Sequence, residues 1–286
     1  TSYGFRPGRG CQPALERVEG LLKAGYTWVV DADLKSYFDT IPHERLLARV
    51  QERIADGRVL ALIEAFLRQG VMEEMKDWQP TERGTPQGAV ISPLLANVYL
   101  HPLDHQMAQA GWEMTRYADD FIIQCRSQTE AQAALETVQQ WVEAEGLQLH
   151  PTKTRIVDAT QRGGFDFLGY HYERGYQWPR QKSQDKLKET IREKTSRTSG
   201  VSLDTLITGI NQTLRGWHAY FGRSLRNELE KLDKMVRRRL RSILMKRHRK
   251  RGIAWQQANQ LWPNAYFTKR GLYTMAPALA TRRQSR

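Results

Sequence analysis

The chain has 286 residues, of which 40% are hydrophobic, and a formal net charge of +13 at pH 7. No apolar run reaches the roughly 18 to 20 residues of a membrane-spanning helix, and the first residues lack a signal-peptide pattern, so we expect a cytoplasmic protein of the bacterial type with no membrane partner. The two cysteines, Cys11 and Cys125, are too few for a disulfide framework and lack zinc-site spacing.

The charge is unevenly distributed along the chain. Residues 180–286 contain 26 Lys and Arg against 7 Asp and Glu, whereas the preceding residues contain 18 against 24. A basic half of this strength is typical of proteins that bind nucleic-acid backbones. A solvated basic surface that only maintains solubility is the alternative interpretation.

Strand and helix signals alternate in the first half of the sequence. A strand that ends near Asp33 is predicted by YTWVVDADL, and a helix stopped by Gly57 is predicted by HERLLARVQERIAD. A second helix is predicted by SPLLANVYLHPLDHQM, with Ser92 as its N-cap and Pro93 as its first helical residue. We expect Pro102 to kink or end this helix, because proline removes a backbone donor.

The next segments complete a recognisable order of elements. Two strands joined by a turn at Asp119 and Asp120 are predicted by TRYADDFII, a helix ending at Gly146 by TEAQAALETVQQWVEAEG, and a short strand by TRIVDA. The order strand, helices, strand, strand, helix, strand is the split β-α-β arrangement of ferredoxin-like sheets. We therefore expect Asp33 and the Asp119–Asp120 pair to meet at one edge of the sheet.

Two neighbouring carboxylates at a turn repel each other unless a cation is present. Two divalent ions held about 3.5 to 4 Å apart by shared carboxylates stabilise the attacking and leaving oxygens of a phosphoryl displacement. Carboxylate and water are also the ligands that Mg²⁺ prefers. The alternative is an ordinary aspartate-containing turn, which an isolated Asp-Asp pair would favour.

Five motifs resemble, in the same order, the conserved blocks of reverse transcriptases: VVDADLKSYFDTIPH, RGTPQGAVISPLLANVYL, RYADDFII, LQLHPTKT and FDFLGY. The set resembles the group II intron-encoded class, with YGFRPGRG similar to a block in its fingers and LRGWHAYFGRS similar to its thumb or maturase region. The resemblance implies an α+β right-hand fold with partial fingers at 1–26, a ferredoxin-like palm at 27–179 and a basic α-helical thumb (maturase X domain) at 180–286. It also implies an N-terminally truncated copy without an endonuclease domain.

The resemblance assigns catalytic roles residue by residue. Asp33, Asp119 and Asp120 correspond to the aspartates that hold two Mg²⁺ ions, for which Mn²⁺ is the other candidate. Asp31 stays open as an alternative to Asp33, because the two would share one face of a strand. Lys153 corresponds to a lysine near the leaving pyrophosphate, where a cation could donate a proton or offset charge on oxygen.

The same resemblance implies substrate-binding positions. Phe38 corresponds to the aromatic residue that blocks a ribose 2′-hydroxyl, with a core aromatic as the alternative. Gln87 corresponds to a residue that packs near the incoming nucleotide, in a segment where Gly84 and Gly88 would allow close backbone approach. The other two candidates for nucleotide binding are Lys35 and Arg6. The residues that resemble the primer grip are Phe167, Leu168 and Gly169.

An amphipathic helix is predicted by KLDKMVRRRLRSILMKRHRKR, which has apolar residues at helical spacing from Leu232 to Leu244 and basic residues on the opposite side. The basic residues that we expect to contact RNA are Arg237, Arg238, Arg241, Lys246 and Arg247. The aromatic residues Trp217, Tyr220 and Phe221 are expected in the core rather than as stacking platforms for bases.

The motifs imply an RNA-directed DNA polymerase that uses deoxynucleoside triphosphates to extend a DNA primer on an RNA template and binds intron RNA to assist splicing. One alternative is a non-catalytic RNA-binding maturase with an idle polymerase site. Another is a domesticated reverse transcriptase that serves phage defence or CRISPR spacer acquisition, which the fold alone cannot separate from an intron role.

Overall fold

The computed structural model describes residues 1–68, 83–85, 89–250 and 252–276. The chain divides into two compact units, each with its own hydrophobic core. Unit 1 comprises Thr1–Leu168 and Glu173–Gly175, and unit 2 comprises Gly169–Tyr172 and Tyr176–Arg286. Within the described ranges, no helix is both long and apolar enough to cross a membrane.

The first part of the chain forms a four-stranded antiparallel sheet and the helices that cover it. Its elements are α1 (Cys11–Lys23), β1 (Trp28–Ala32), α2 (Tyr37–Thr40), α3 (His43–Gln51), α4 (Gly57–Arg68), α5 (Ser92–Gln109), β2 (Glu113–Tyr117), β3 (Asp120–Cys125), α6 (Gln128–Ala144), β4 (Arg155–Asp158) and β5 (Phe165–Phe167). The order of the four-stranded sheet is β2-β3-β1-β4. This is the order of a split β-α-β sheet, so the prediction of a ferredoxin-like palm is confirmed.

Strand β3 is buried on both faces of the sheet. Phe121, Ile123 and Cys125 belong to the core that also includes residues of α3, α5 and α6, and the intervening Ile122 is fully buried as well. In the register of the sheet Ala32 lies opposite Phe121, so the end of β1 is beside the turn between β2 and β3. The sheet thereby brings the residue that follows β1 close to the aspartate pair.

Two local predictions about helix ends were wrong. Helix α3 stops at Gln51, and Gly57 is instead the first residue of α4. The start of α4 is favoured by Asp56, whose carboxylate accepts a hydrogen bond of 2.8 Å from the Arg58 backbone amide. Ser92 is not the N-cap of α5 but its first helical residue, because the N-cap position is occupied by Ile91.

The prediction that Pro102 could end α5 was also wrong, because the helix continues to Gln109. Leu100, Leu103 and Met107, on both sides of the proline, are fully buried in the core of unit 1. Burial of each such side chain stabilises by roughly 1.5 to 3 kcal/mol, which offsets the loss of one backbone hydrogen bond.

The remaining elements are β6 (Tyr170–Glu173), β7 (Tyr176–Pro179), α7 (Gln181–Lys194), α8 (Leu203–Phe221), α9 (Arg226–Arg247), α10 (Trp255–Leu261) and α11 (Asn264–Lys269). Strands β5, β6 and β7 form a second sheet in that order. The predicted amphipathic helix is confirmed as α9, whose residues Leu232, Val236, Leu240 and Leu244 are buried in the core of unit 2. Of the three aromatic residues expected in the core, Phe221 is buried and Trp217 is partly buried against the core of unit 2, whereas Tyr220 is only half-buried.

Candidate active site

The Asp119–Asp120 pair lies at a tight turn between β2 and β3. Tyr117 and Asp120 are paired across the two strands, so the loop consists of Ala118 and Asp119. Ala118 has φ 59°, a left-handed conformation that costs a residue with a Cβ about 1 to 2 kcal/mol. Two-residue hairpin loops require positive φ because that backbone twist matches the twist of the strands. The turn thereby presents both carboxylates at the end of the hairpin.

A buried arginine stabilises this turn through hydrogen bonds. Arg116 is fully buried and donates hydrogen bonds to both carboxylate oxygens of Asp104, one of them at 2.8 Å. It also donates to the side-chain oxygen of Asn97 at 2.9 Å and to the backbone carbonyl of Ala118 at 2.7 Å. The strained residue of the turn is therefore bound to a buried ion pair.

The first residues of the chain complete this support. The Tyr3 amide donates to the Arg116 carbonyl at 2.8 Å, and the Asn97 side chain donates to the Gly4 carbonyl at 2.9 Å. A Cβ at Gly4 would lie 2.5 Å from the backbone nitrogen of Ala118. Only glycine leaves room for this approach of two backbone segments.

Asp33 and Asp119 line one cavity of about 420 Å³. Asp33 directly follows β1, and its carbonyl accepts a hydrogen bond of 2.7 Å from the His150 amide. Its carboxylate accepts a hydrogen bond of 2.7 Å from the Lys153 ammonium, and Lys153 lines the same cavity. The structure thus brings together a carboxylate from the end of β1, a carboxylate from the hairpin turn and a lysine.

Asp31 has a different environment from Asp33. It lies within β1 and forms an ion pair of 3.3 Å with Arg155 of β4. Burial raises the pKa of Asp31, and the Arg155 guanidinium opposes that shift. Asp31 is not among the residues that line the cavity of Asp33 and Asp119.

The aspartates raise one another's pKa values. Burial and repulsion from Asp33 raise the pKa of Asp119. Asp120 keeps contact with solvent, but the protein packed around its carboxylate, together with repulsion from Asp31 and Asp119, raises its pKa to about 7. A hydrogen bond from the Leu168 backbone amide to Asp120 acts in the opposite direction.

The carboxylate oxygens of this site are suitable ligands for a hard divalent cation. Asp33, Asp119 and Asp120 supply carboxylate oxygens, which suit Mg²⁺ or Mn²⁺ better than softer metals. A cation beside them would offset the carboxylate repulsion that, together with burial, raises the pKa values of Asp119 and Asp120. In the part of the chain that the structure describes, no three His, Cys, Asp or Glu side chains converge on one point, and Asp33 is paired with Lys153 instead.

The structure separates the predicted nucleotide-binding residues. Lys35 and Phe38 line the cavity of Asp33 and Asp119. Arg6 lines another cavity, with His101 and Asp104 among its neighbours. Gln87 and Gly88 lie outside the described residues. Gly84 has φ 89°, and a Cβ there would lie 3.0 Å from backbone atoms of Asp39.

The segment that resembles a primer grip forms a turn after β5. Phe167 is buried, whereas Leu168 and Gly169 have φ values of 47° and 83°. This left-handed pair reverses the chain tightly between β5 and β6. Because the Leu168 amide donates to Asp120, the start of the turn is directly connected to the aspartate pair.

The basic residues of α9 differ in exposure. Arg238 and Lys246 are exposed, and Arg237 is half-buried. Arg247 is exposed too, although its guanidinium donates to the Ser199 carbonyl at 3.2 Å. These four residues place positive charge on the surface of unit 2.

Arg241 is a buried member of the same helix. Its side chain donates to the Trp262 carbonyl at 2.9 Å and to the side-chain oxygen of Asn264 at 2.8 Å. The guanidinium therefore stabilises the fold of unit 2 as well as contributing charge.

The sequence did not reveal the buried hydrogen bonds that hold the aspartate turn in place. Arg116 was visible within TRYADDFII, and it shares a strand face with the apolar Met114, two residues earlier. An arginine on a core-facing position requires a buried acceptor. Asp104, one helical turn beyond Leu100, was the available signal for that acceptor, but sequence spacing does not pair residues of different elements.

Comparison with known proteins agrees with this geometry. Residues 1–172 match the family "Reverse transcriptase (RNA-dependent DNA polymerase)", and residues 184–262 match "Group II intron, maturase-specific domain". The group II intron-encoded protein LtrA of Lactococcus lactis subsp. cremoris is 40% identical over 124 residues, which are 43% of this chain and 20% of LtrA. Protein YkfC of Escherichia coli K12 is 31% identical over 208 residues, covering 59% of this chain and 54% of YkfC.

The chain spans only part of the length of these relatives. Among solved structures, a telomerase chain from Candida albicans has a TM-score of 0.51 at 11% identity, over 98% of this chain and 55% of that chain. This likeness concerns the fold alone and agrees with a right-hand arrangement. The family match covers more than half of the chain and includes the aspartates of both motifs. The chain therefore belongs to the reverse transcriptase family and is of the group II intron-encoded type, with a maturase-specific domain after its palm.

Proposed function

We propose that this protein is an active RNA-directed DNA polymerase that extends a DNA primer on an RNA template with deoxynucleoside triphosphates. The observation that carries the proposal is the cavity shared by Asp33, Asp119 and Lys153, with Asp120 in the adjacent strand position. Two Mg²⁺ or Mn²⁺ ions bound at Asp33, Asp119 and Asp120 would stabilise charge on the attacking and leaving oxygens.

Each residue of the cavity has a task that its chemistry supports. Lys153 is held 2.7 Å from Asp33, where its ammonium can offset charge on a leaving pyrophosphate or donate a proton to it. Lys35 adds a second positive charge for phosphate oxygens. Phe38 lines the cavity, where its ring would exclude a ribose 2′-hydroxyl and so favour deoxynucleotides.

The basic second half of the chain supports the binding of RNA. We propose that residues 180–286 form the thumb, that they bind the template-primer duplex, and that they also bind intron RNA to assist splicing. The excess of 26 Lys and Arg over 7 Asp and Glu suits contact with phosphate backbones. The match of residues 184–262 to a maturase-specific domain supports the splicing role.

Primer extension tests the polymerase proposal. An RNA template, an annealed DNA primer, Mg²⁺ and the four deoxynucleotides are incubated with the unmodified chain, with Asp119→Asn and with Asp185→Asn. We expect Asp119→Asn to lose at least about 100-fold in rate, because it removes a negative charge where metal and transition-state charge would be stabilised. Asp185→Asn removes an exposed carboxylate outside the cavity, and its rate should not fall, because the loss of a negative charge does not weaken contacts with a phosphate backbone.

The outcomes separate the two candidate roles. Equal extension by the unmodified chain and Asp119→Asn would contradict the proposed site. Failure of the unmodified chain to extend any primer, while it still binds intron RNA and promotes splicing, would contradict the polymerase proposal. That result would support the non-catalytic maturase, with which the maturase-specific match is equally compatible.

A further inference from the structure

Unit 2 contains a second cavity with a composition unlike that of the active site. It has a volume of about 680 Å³, within the range of roughly 300 to 1,000 Å³ that is typical of small-ligand sites. One wall consists of the α9 residues Lys234, Arg237, Arg238 and Arg241. Among the described residues that line it, four are basic and none is acidic. The cavity is therefore suited to an anionic ligand.

The opposite wall contains an exposed tryptophan. Trp255, the first residue of α10, is 39% exposed, although tryptophan is usually buried to a large extent. The Arg238 guanidinium lies 4.8 Å from the centre of its ring. Because Arg238 covers one face of the ring and fixes it, the other face of this exposed tryptophan is the flat surface on which a nucleobase can stack.

Two amide side chains lie in the same cavity. Asn264 accepts a hydrogen bond of 2.8 Å from Arg241 through its side-chain oxygen, so its amide nitrogen remains a donor held in place by a buried residue. Asn259 contributes a second amide. Side-chain amides match the donors and acceptors on the edge of a base.

The basic residues of the cavity are close enough to repel one another. Burial and repulsion from Arg237 both lower the pKa of Arg241. A phosphate between these groups would relieve the repulsion and accept their hydrogen bonds. This cavity therefore combines a tryptophan and amides for the base of a nucleotide with a basic wall for its phosphate.

We propose that this cavity binds a single unpaired nucleotide of RNA. The base stacks on Trp255, Asn259 and Asn264 contact its edge, and Lys234 and Arg237 contact the adjoining phosphate. A base inside a duplex is already stacked on both faces, so this site selects single-stranded or looped RNA over duplex RNA. The inference rests on the proposed binding of RNA but not on polymerase activity.

Equilibrium binding tests the proposal without any deoxynucleotide. The unmodified chain, Trp255→Ala and Trp255→Phe are titrated into a fluorescent single-stranded RNA, the same RNA with one abasic position, and a duplex of the same sequence. We expect Trp255→Ala to weaken single-strand binding about tenfold, because a lost base-aromatic stack has an effect of that order. Trp255→Phe should keep most of the affinity, and duplex binding should change less than twofold.

A second pair of variants tests the phosphate contact. Lys234→Ala should lower the dependence of binding on salt concentration by about one phosphate contact. Lys231→Ala, on the same helix but outside the cavity and paired with Glu228, should leave that dependence unchanged. Circular dichroism establishes that each variant is folded.

Three outcomes would overturn the inference: unchanged single-strand binding by Trp255→Ala, an equal loss on the duplex, or equal effects of Lys234→Ala and Lys231→Ala. Because no primer is extended in these assays, their result is independent of whether the Asp119→Asn test succeeds.

Discussion

Arg116 is a fully buried charge whose side-chain partners lie in helix α5 and in the aspartate turn. Its ion pair with Asp104 satisfies both charges, and one of its other two hydrogen bonds holds the Ala118 carbonyl in the aspartate turn. Removal of one partner from a buried pair leaves the other charge uncompensated. Arg116 is therefore a positioning residue for Asp119 and Asp120.

We expect Arg116→Met to lower the free energy of unfolding by about 3 to 5 kcal/mol, because Asp104 would stay buried without its partner. Urea denaturation followed by circular dichroism measures this change. Arg68→Met is the control, since it breaks an exposed pair with Glu64 and should cost less than about 1 kcal/mol. Similar losses for the two variants would show that burial does not determine the effect.

The double variant Arg116→Met with Asp104→Leu separates stability from positioning. Removal of both charges should restore much of the lost stability, because a buried ion pair can be replaced by apolar groups at little cost. Primer extension should stay below that of the unmodified chain, because the Ala118 carbonyl still lacks its donor. Full recovery of both properties would argue against a role for Arg116 in the turn.

At the scale of single residues, sequence motifs identified the candidate catalytic residues but not the buried residues that hold them in place. The resemblance singled out Asp33, Asp119 and Lys153, and the structure brings these three together in one cavity. It could not reveal Asp104 or Asn97, because a hydrogen-bond partner from another element leaves no local pattern in the sequence. Their proximity depends on how helix α5 packs against the sheet.

At the scale of elements, periodicity and turn residues predicted the strands of the palm and the helix α9. The errors occurred where a breaker residue competed with tertiary packing. Pro102 remains inside α5 because the apolar residues on both sides of it are buried. The free energy gained by that burial depends on tertiary packing and leaves no local signal in the sequence. Gly57 begins a helix for a different reason, since the adjacent Asp56 accepts hydrogen bonds from backbone amides of the first turn, which is a local signal.

Pro102→Ala should stabilise the protein. The substitution restores a backbone donor in the interior of α5, where proline costs up to about 3 kcal/mol relative to alanine. Greater freedom of the unfolded chain reduces this gain by roughly 0.4 to 1 kcal/mol. We expect a net increase of about 1 to 2 kcal/mol in the free energy of unfolding by urea denaturation. A decrease would mean that the proline ring itself makes essential contacts.

At the scale of the whole molecule, the separation of charge was visible from composition, whereas the boundary between the units was not. The acidic excess lies before residue 180 and the basic excess lies from that residue onward. The chain, however, alternates between the two compact units within residues 169–176. A boundary inside a small sheet produces no change in composition, so only the three-dimensional contacts define it.

The same separation of charge predicts a steep salt dependence of RNA binding by the full chain. If the basic half contacts about six to ten phosphates, affinity should fall by roughly 10³ to 10⁵ between 50 and 200 mM salt. Fluorescence anisotropy with one labelled RNA over a series of salt concentrations measures the slope. A slope near zero would show that the excess of basic residues does not contact the RNA backbone.

Because Gly4 lies so close to Ala118, the position of the aspartate turn depends on a residue that has no side chain. A single methyl group added at residue 4 would overlap with the backbone nitrogen of Ala118 and displace the turn. The carboxylates would move with it, although every residue of the cavity would be unchanged. Position 4 is thus a point at which one substitution would displace the aspartate turn while the sequence motifs of the cavity remain intact.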